Sequence, residues 1–318
     1  MNGRLKMSIT YPALNGNEYN CCMKSRTLRA DLLLLLTALI WGLSFVAQRL
    51  GMTHIGAFTF NGVRFALGTL VLYPLVRRNY PDGLLQRGEI RQIWLPALLT
   101  GLVLFVGASL QQHGVVYTDA GKAGFITGLY VIFVPLMGLL LGIHPGLRVW
   151  VGALLAVVGL YLLSVEGKMT LGKGDTLVLI GAVAWAAHVH LVGRFSAQVG
   201  ALRLAWLQFA ITAALSLLAA FVFETITLAG LQAAAWPIIY AGALSVGVGY
   251  TLQVVAQKDA PPAHAAILLS LEAVFAALGG WLILGETLPP RGILGAVLML
   301  LGMWVAGVNH RPERKRQP

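Results

Sequence analysis

Residues 31–41 read DLLLLLTALIW, and residues 175–185 read DTLVLIGAVAW. Each stretch opens a long apolar segment with an aspartate and ends on a tryptophan, so the second is a copy of the first displaced by 144 positions. The correspondence continues along the chain with nearly the same displacement. The matching positions are Arg64 with Gln208, Trp94 with Trp236, Gly107 with Gly249, Gln111 with Gln253, Gly152 with Gly295, and Gly159 with Gly302. The chain therefore contains an internal repeat.

The amino-acid composition shows whether this chain folds in water or in a membrane. Of its 318 residues 58% are hydrophobic and 11% charged, and its mean hydropathy is +0.77. A soluble domain has about a quarter charged residues, so this is a polytopic membrane protein. Ten segments are long enough to cross a hydrocarbon layer of about 30 Å as helices. They are 31–50, 57–77, 93–112, 119–141, 145–164, 175–194, 202–222, 236–257, 262–284 and 290–308.

Each copy carries five of these segments, and an odd number of crossings inserts the second copy upside down relative to the first. We therefore predict an all-α integral membrane fold of ten transmembrane helices in two inverted five-helix repeats, 31–164 and 175–308. Residues 1–30 are predicted to be a polar cytoplasmic tail and 309–318 a basic cytoplasmic tail. Met23 offers an alternative start, which would make residues 1–22 an extension.

The net charge of +11 indicates how the chain is oriented in the membrane rather than that it binds nucleic acid. Seventeen of the 23 Lys and Arg residues fall in segments on one side of the predicted membrane, three on the other, and three within helices. Basic residues concentrate on the cytoplasmic side. Both termini are thus predicted to be cytoplasmic, in a multi-pass protein of the cell inner membrane.

Charged residues inside the membrane are the best functional markers, because each costs about 3 kcal/mol or more on a lone helix. Arg64 lies seven residues into the second segment, and Asn61 lies one helical turn before it. Glu272 falls near the middle of the ninth segment, with no basic residue within one turn. Its carboxyl is expected to pair with another helix, for example with Arg64, or to be protonated. A purely structural inter-helix pair is the alternative.

Further polar residues are weaker candidates. Gln208, Gln111 and Gln253 could contact a substrate through their amides, or hold helices together. Lys122 follows Asp119 by three residues, so a local ion pair that points toward the interface competes with a role in binding.

Two tryptophans, Trp41 and Trp185, fall in the middle of segments rather than at a membrane interface. They are expected to be aromatic walls of a pocket or plain core packing. The complete set of predicted substrate-binding residues is Arg64, Asn61, Glu272, Gln208, Lys122, Gln111, Gln253, Trp41 and Trp185.

Enzyme motifs of the HExxH, P-loop and GxSxG types are absent from the sequence. His188 and His190 are two residues apart, which points them to different sides of a helix and makes them poor ligands for one metal. We predict no metal, no cofactor and no enzymatic activity. An integral-membrane enzyme acting on a lipid-linked substrate remains a remote alternative, and it would need a cluster of catalytic groups at one interface.

Several phrases together resemble the EamA-type family of the drug/metabolite transporter superfamily. They are Ile40-Trp41-Gly42-Leu43-Ser44-Phe45, Val63-Arg64-Phe65, Leu284-Gly285-Glu286-Thr287-Leu288, Gly295-Ala296 and Gly302. The resemblance covers residues 31–308 and implies a ten-helix carrier with cytoplasmic termini and a central cavity, usually an exporter of amino acids or related metabolites. It also places helices 5 and 10 at the periphery. The prolines that such proteins often carry are missing at Tyr130 and Ala273.

These observations predict a secondary transporter that moves a small polar or amphipathic, amino-acid-like metabolite out of the cell by alternating access. A multidrug exporter of hydrophobic cations is the main alternative, and a non-transporting scaffold is disfavoured by the buried charges. The expected partners are a small-molecule substrate and membrane lipid, with a proton as the candidate coupled ion and no nucleic acid.

The topology can be tested with reporter fusions. A reporter fused after residue 168 should be periplasmic and one fused after residue 318 cytoplasmic, because of the uneven distribution of basic residues. A pair of reporters, one active only in the cytoplasm and one active only outside it, measures both positions. Finding the two fusion points on the same side would contradict the inverted arrangement.

Overall fold

The computed structural model describes residues 16–81, 83, 90–118, 120–165, 172–284 and 289–307. Within these ranges the chain is helical and has no β-strand. The predicted basic tail at 309–318 and residues 1–15 of the predicted N-terminal tail lie outside the described residues. The rest of that tail, from Gly16 on, is already helical.

The first half of the described chain contains six helices. The fourth predicted segment is not one continuous helix but two, which are separated at Leu129. The helices are α1 Gly16–Gly51, α2 Ala57–Asn79, α3 Ile90–Tyr117, α4 Ala120–Gly128, α5 Tyr130–Leu140 and α6 Leu147–Ser164.

The second half follows the same order with more interruptions. Its third predicted segment contains a π-helix, and its fourth is divided in two at residues 270–271. The helices are α7 Lys173–Val199, α8 Ala201–Phe223, α9 Leu228–Ala233, α10 Ala235–Ile239, the π-helix Tyr240–Tyr250, α11 Thr251–Ala256, α12 Pro262–Leu269, α13 Glu272–Leu284 and α14 Pro290–Gly307.

Eight spans in the described part of the chain are long and apolar enough to cross a membrane, and two shorter apolar helices follow at Pro262–Leu278 and Pro290–Ala306. The outer surface is rich in large apolar side chains, for example Leu140, which is 89% exposed, and Phe221, which is 76% exposed. Soluble proteins do not expose continuous apolar surfaces of this extent. The chain is a multi-pass membrane protein, and this surface faces lipid.

Helices α6 and α14 pack through pairs of glycines. A Cβ added to Gly152 would lie 2.7 Å from the carbonyl oxygen of Gly302, and one added to Gly159 would lie 2.5 Å from that of Gly295. The order reverses between the two helices, so they run antiparallel. The contact is also reciprocal, since Gly295 and Gly302 occupy the positions equivalent to Gly152 and Gly159 in the sequence repeat. Glycine allows this backbone approach because it has no side chain.

A second pair of reciprocal contacts joins the central helices. Gly107 of α3 lies against the indole of Trp185 in α7, where an added Cβ would be 3.3 Å away. Gly249 of the π-helix lies against the indole of Trp41 in α1, where the corresponding distance is 2.7 Å. Gly107 and Gly249 are equivalent positions of the sequence repeat, and so are Trp41 and Trp185. Each sequence copy therefore packs on the other in the same way.

The two aspartates that open the sequence copies tie the copies together. The Asp31 carboxylate lies 2.8 Å from Nε2 of His264 at the start of α12. Asp175, its equivalent, accepts a hydrogen bond of 2.5 Å from the Thr118 hydroxyl and one of 2.6 Å from the Gly172 amide. Each aspartate therefore holds a residue of the other copy.

A similar connection between the two copies caps the N-terminus of α2. The amides of Phe58 and Thr59 each donate a hydrogen bond of 2.8 Å to the carboxylate of Glu224, and the Thr59 hydroxyl adds a third of 2.7 Å. Glu224 follows α8, so a residue of the second copy satisfies the free N–H groups and complements the dipole of a helix in the first.

Substitution of Gly159 tests the close packing of α6 on α14. Gly159→Ala should lower the unfolding free energy by about 1–3 kcal/mol, the usual cost of overpacking, because its methyl group would meet a backbone oxygen. The matched control is Gly124→Ala in α4, where an added Cβ meets no atom within 4 Å. Thermal unfolding of the purified variants in detergent measures the difference. Equal destabilisation of both variants would contradict the packing described here.

Candidate functional site

A cavity lies between the two sequence copies. Its walls combine aromatic, amide and charged side chains from helices of both copies. The lining residues are Trp41, Phe45, Gln48, Arg64, Gln111, Thr127, Tyr130, Trp185, Val189, Ser245, Tyr250, Gln253, Leu269 and Glu272.

Two helix interruptions open onto this cavity. The break between α4 and α5 at Leu129 places Thr127 and Tyr130 on its wall. The break between α12 and α13 does the same for Leu269 and Glu272. Discontinuous membrane helices are tolerated where their freed backbone groups are covered by protein or water, and they are typical of transporter binding sites.

Arg64 is the cation of the cavity wall. Its side chain is 2% exposed, and its guanidinium carbon lies 5.4 Å from the ring centre of Phe60 and 5.1 Å from that of Phe65. These cation–π contacts stabilise the charge in part. The Nε donor has no hydrogen-bond partner, and no ion pair joins Arg64 to a carboxylate within the described ranges. The guanidinium thus retains unused donors beside the cavity.

Glu272 is the carboxyl of the cavity wall. It is the first residue of α13 and is 4% exposed. No hydrogen bond or ion pair reaches its carboxyl group from the residues that the structure describes. Gly42 of α1 lies directly against its backbone, since an added Cβ there would be 2.5 Å from the Glu272 carbonyl oxygen. The predicted ion pair with Arg64 is therefore not formed, although both residues line the same cavity.

Tyr250 is the centre of the aromatic wall. Its ring centre lies 4.4 Å from that of Trp41, 5.9 Å from that of Phe65 and 6.1 Å from that of Trp185. Further contacts join it to His188 and Phe209. Tyr250 ends the π-helix, an uncommon element that is frequent at functional sites.

A directed chain of hydrogen bonds crosses one side of the cavity. The indole N–H of Trp185 donates to Oε1 of Gln111 at 2.8 Å, and the amide of Gln111 donates to Oε1 of Gln48 at 3.2 Å. Gln48 in turn donates to the hydroxyl of Ser44 at 3.5 Å. Because every amide here is already engaged, this chain fixes the orientation of the side chains around it.

The structure brings most of the predicted site residues together. Two of them lie elsewhere: Asn61 is fully buried and its amide has no partner among the described residues, and Gln208 is hydrogen-bonded to Nε2 of His188 at 2.9 Å. The side chain of Lys122 lies outside the described residues. Those placed on the cavity wall are Arg64, Glu272, Gln111, Gln253, Trp41 and Trp185.

Sequence reasoning missed five polar members of the wall. Gln48 and Tyr250 carry a spacing signal, whereas Thr127, Tyr130 and Ser245 do not. Gln48 follows Ser44 by four residues in an apolar helix, the spacing of a shared face. Tyr250 precedes Gln253 by three residues, so the same rule could have found it once Gln253 was chosen. The aliphatic and small lining residues carry no such signal.

The buried histidines do not form a metal site. His188 contacts Gln208, whereas Nε2 of His190 lies 2.8 Å from the carbonyl oxygen of Val134. In the part of the chain that the structure describes, no group of three or more His, Cys, Asp and Glu residues could hold a metal ion.

Comparison with known proteins identifies relatives over both copies. The sequence profile described as the EamA-like transporter family matches residues 28–165 and again 172–308. An uncharacterized transporter of Archaeoglobus fulgidus is 32% identical over 292 residues, which cover 89% of this chain and 87% of that protein. The uncharacterized transporter YoaV of Bacillus subtilis is 24% identical, and the aligned residues cover 84% of this chain and 92% of that protein. A solved crystal structure superposes with a TM-score of 0.72 at 19% identity, covering 87% of this chain and 96% of that one, which supports the fold alone.

Gln111 offers a test of the hydrogen-bond chain. Gln111→Leu should lower the unfolding free energy by about 1–3 kcal/mol, because it leaves the buried indole N–H of Trp185 without its acceptor. Gln92→Leu, at the exposed start of the same helix, is the control and should change stability by about 0.5 kcal/mol or less. Thermal unfolding in detergent reports both. A stability for Gln111→Leu equal to that of the control would show that the chain contributes nothing.

Proposed function

The chain belongs to the EamA-like transporter family, and we propose that within it this protein is a secondary transporter of a small zwitterionic, amino-acid-like metabolite. The observation that carries the proposal is the pair of unpaired charges in one cavity. The Nε donor of Arg64 has no partner. Among the described residues Glu272 receives no hydrogen bond or ion pair, and both side chains line the same cavity. A ligand with a carboxylate and an ammonium group supplies both missing partners.

The cavity favours such a ligand energetically. Charge-assisted hydrogen bonds are about twice as strong as neutral ones, and they strengthen further where water is excluded. Trp41, Trp185 and Tyr250 add an aromatic wall beside the two charges, where a side chain of the ligand can pack.

For the architecture we propose ten membrane crossings in two inverted repeats. The reciprocal contacts of Gly152 with Gly302 and of Gly159 with Gly295 support this arrangement, because equivalent helices of two inverted repeats run antiparallel. The matching contacts of Gly107 and Gly249 with the tryptophans support it as well. Alternating access then follows from rocking of one repeat against the other around the cavity.

The direction and location of transport follow from charge and family. The excess of Lys and Arg on one side supports cytoplasmic termini in the cell inner membrane. We infer export from the cytoplasm, as in the amino acid exporters that the family resemblance implies. The exported molecule is proposed to be a small polar or amphipathic metabolite.

A hydrophobic cation is the second candidate substrate. The aromatic wall and the Glu272 carboxyl suit it, as cation–π and ionic contacts would act together. Arg64 opposes it, because a guanidinium on the same wall repels a ligand that carries only positive charge. Arg64 therefore decides between the two substrate classes.

Counterflow into proteoliposomes tests the proposal. The full chain is compared with Arg64→Gln for exchange of labelled amino acids, the amines formed by their decarboxylation, and lipophilic cationic dyes. Loss of one charge-assisted contact of about 1.5–3 kcal/mol should raise the half-saturating concentration of amino acids about tenfold to a hundredfold, with no loss for amines. Arg49→Gln is the control, since Arg49 lies at the exposed end of α1. Strong transport of amines or dyes that Arg64→Gln leaves unchanged would refute the amino-acid assignment.

A further inference from the structure

The Glu272 carboxyl is buried without a partner on the wall of the cavity. It is 4% exposed, and among the described residues it receives neither a hydrogen bond nor an ion pair. An isolated carboxylate in apolar surroundings is costly unless it is paired, hydrogen-bonded or protonated. The described residues of the cavity wall place no counter-charge in contact with it, so its negative form requires a ligand or a change in the site.

The groups around Glu272 do not supply that counter-charge. The other titratable residues that line the same cavity are Tyr130, Tyr250 and Arg64. On the helices packed against α13, α1 presents Gly42 to its backbone, and Tyr161 of α6 lies under the guanidinium of Arg291. The side chain of Lys122 on α4 is outside the described residues. Arg64 is held between two phenyl rings and is not ion-paired with Glu272.

We propose that Glu272 is the proton-binding site of the transporter, and that a proton and the cationic group of the substrate occupy it in turn. This inference rests on the proposed function and adds the coupled ion to it. When the substrate ammonium arrives, the O–H bond of the carboxyl breaks, the proton leaves to the water on the side to which the cavity is open, and the carboxylate pairs with the ammonium.

The reverse step completes the exchange. After the substrate leaves on the opposite side, a proton from that side binds to the carboxylate and neutralises it for the return. Neither form leaves an unpaired buried charge at Glu272, whereas the empty ionised site would have one. One proton therefore moves inward for each substrate moved outward, so a proton gradient drives export.

The helix break explains why this carboxyl can take both states. Glu272 lies in the first turn of α13, where the free N–H groups and the helix dipole favour a negative charge. Burial without a partner in contact favours the neutral form instead. Opposing effects of this kind let a single contact with the substrate decide which form is present.

The test uses the full chain in liposomes filled with an equimolar mixture of the twenty standard amino acids. The liposomes are diluted into buffer of the same pH or into a more acidic buffer, and efflux of each amino acid is followed by mass spectrometry. An acidic exterior should accelerate efflux of the transported amino acids several-fold. In Glu272→Gln the two efflux rates should become equal, while Glu272→Asp and the control Asp259→Asn, at an exposed position, keep the acceleration.

Counterflow in the same liposomes separates the two proposals. Absence of amino acid counterflow in the wild-type chain refutes the proposed substrate. Counterflow that is present, together with efflux rates that do not respond to the gradient, overturns the proton-binding role and leaves the substrate assignment intact. An acceleration that persists in Glu272→Gln overturns that role as well.

A second measurement needs no substrate. Infrared difference spectra of the reconstituted protein between acidic and alkaline buffer should contain the carbonyl band of a protonated carboxyl that is lost on alkalinisation. That band should be missing in Glu272→Gln and present in Asp259→Asn. A full set of carboxyl bands in Glu272→Gln would overturn the proposal even if the variant had lost transport.

Discussion

Hydrocarbon offers no hydrogen bonds, and this constraint shapes every level of the structure. Backbone groups in lipid must be satisfied within the chain, which leaves helices as the spanning elements here. Polar side chains must find partners inside the bundle, and most do so in pairs such as Thr212 with the Gly101 carbonyl and Gln257 with the Val189 carbonyl, at 3.1 and 3.0 Å. Against this background, a buried charge without a hydrogen-bond or ionic partner is informative, because the fold compensates its cost only in part.

Close helix packing and an open cavity make opposite demands on the same bundle. The glycines of α6 and α14 meet the first demand at the periphery, where backbone oxygens replace side chains as neighbours. The helix breaks at Leu129 and at residues 270–271 meet the demand for an open cavity. At a break, side chains can turn toward the interior without packing continuously against a neighbouring helix. Gly42 connects the two, since it seats α1 on the broken turn that carries Glu272.

The repeat, the helical class and the family could be predicted from the sequence, because they depend on apolar length and on residues such as Asp31, Trp41 and their equivalents. Arg64 and Glu272 could be placed on the cavity wall for the same reason, as charges are too costly elsewhere. Asn61 could not be separated from Arg64, since both fit one helical face, yet Arg64 lines the cavity whereas Asn61 is buried away from its wall. The contact of Gln208 with His188 depends on how α7 and α8 are rotated about their axes relative to each other, and no local sequence pattern determines that rotation.

The helix interruptions were also beyond local pattern. The family prolines are missing at Tyr130 and Ala273, so the sequence predicts continuous helices there, yet both breaks are present and differ in chemistry. The first places Tyr130 on the cavity wall, and the second places Glu272 there, while the position equivalent to Glu272 in the first copy is Leu129. Arg64 is likewise matched by Gln208. Reciprocal packing thus coexists with charges that are not duplicated. Under the proposed mechanism, a carrier that rocks between two states needs scaffolds alike enough to exchange roles, and the proposed zwitterionic ligand needs a site whose two sides differ.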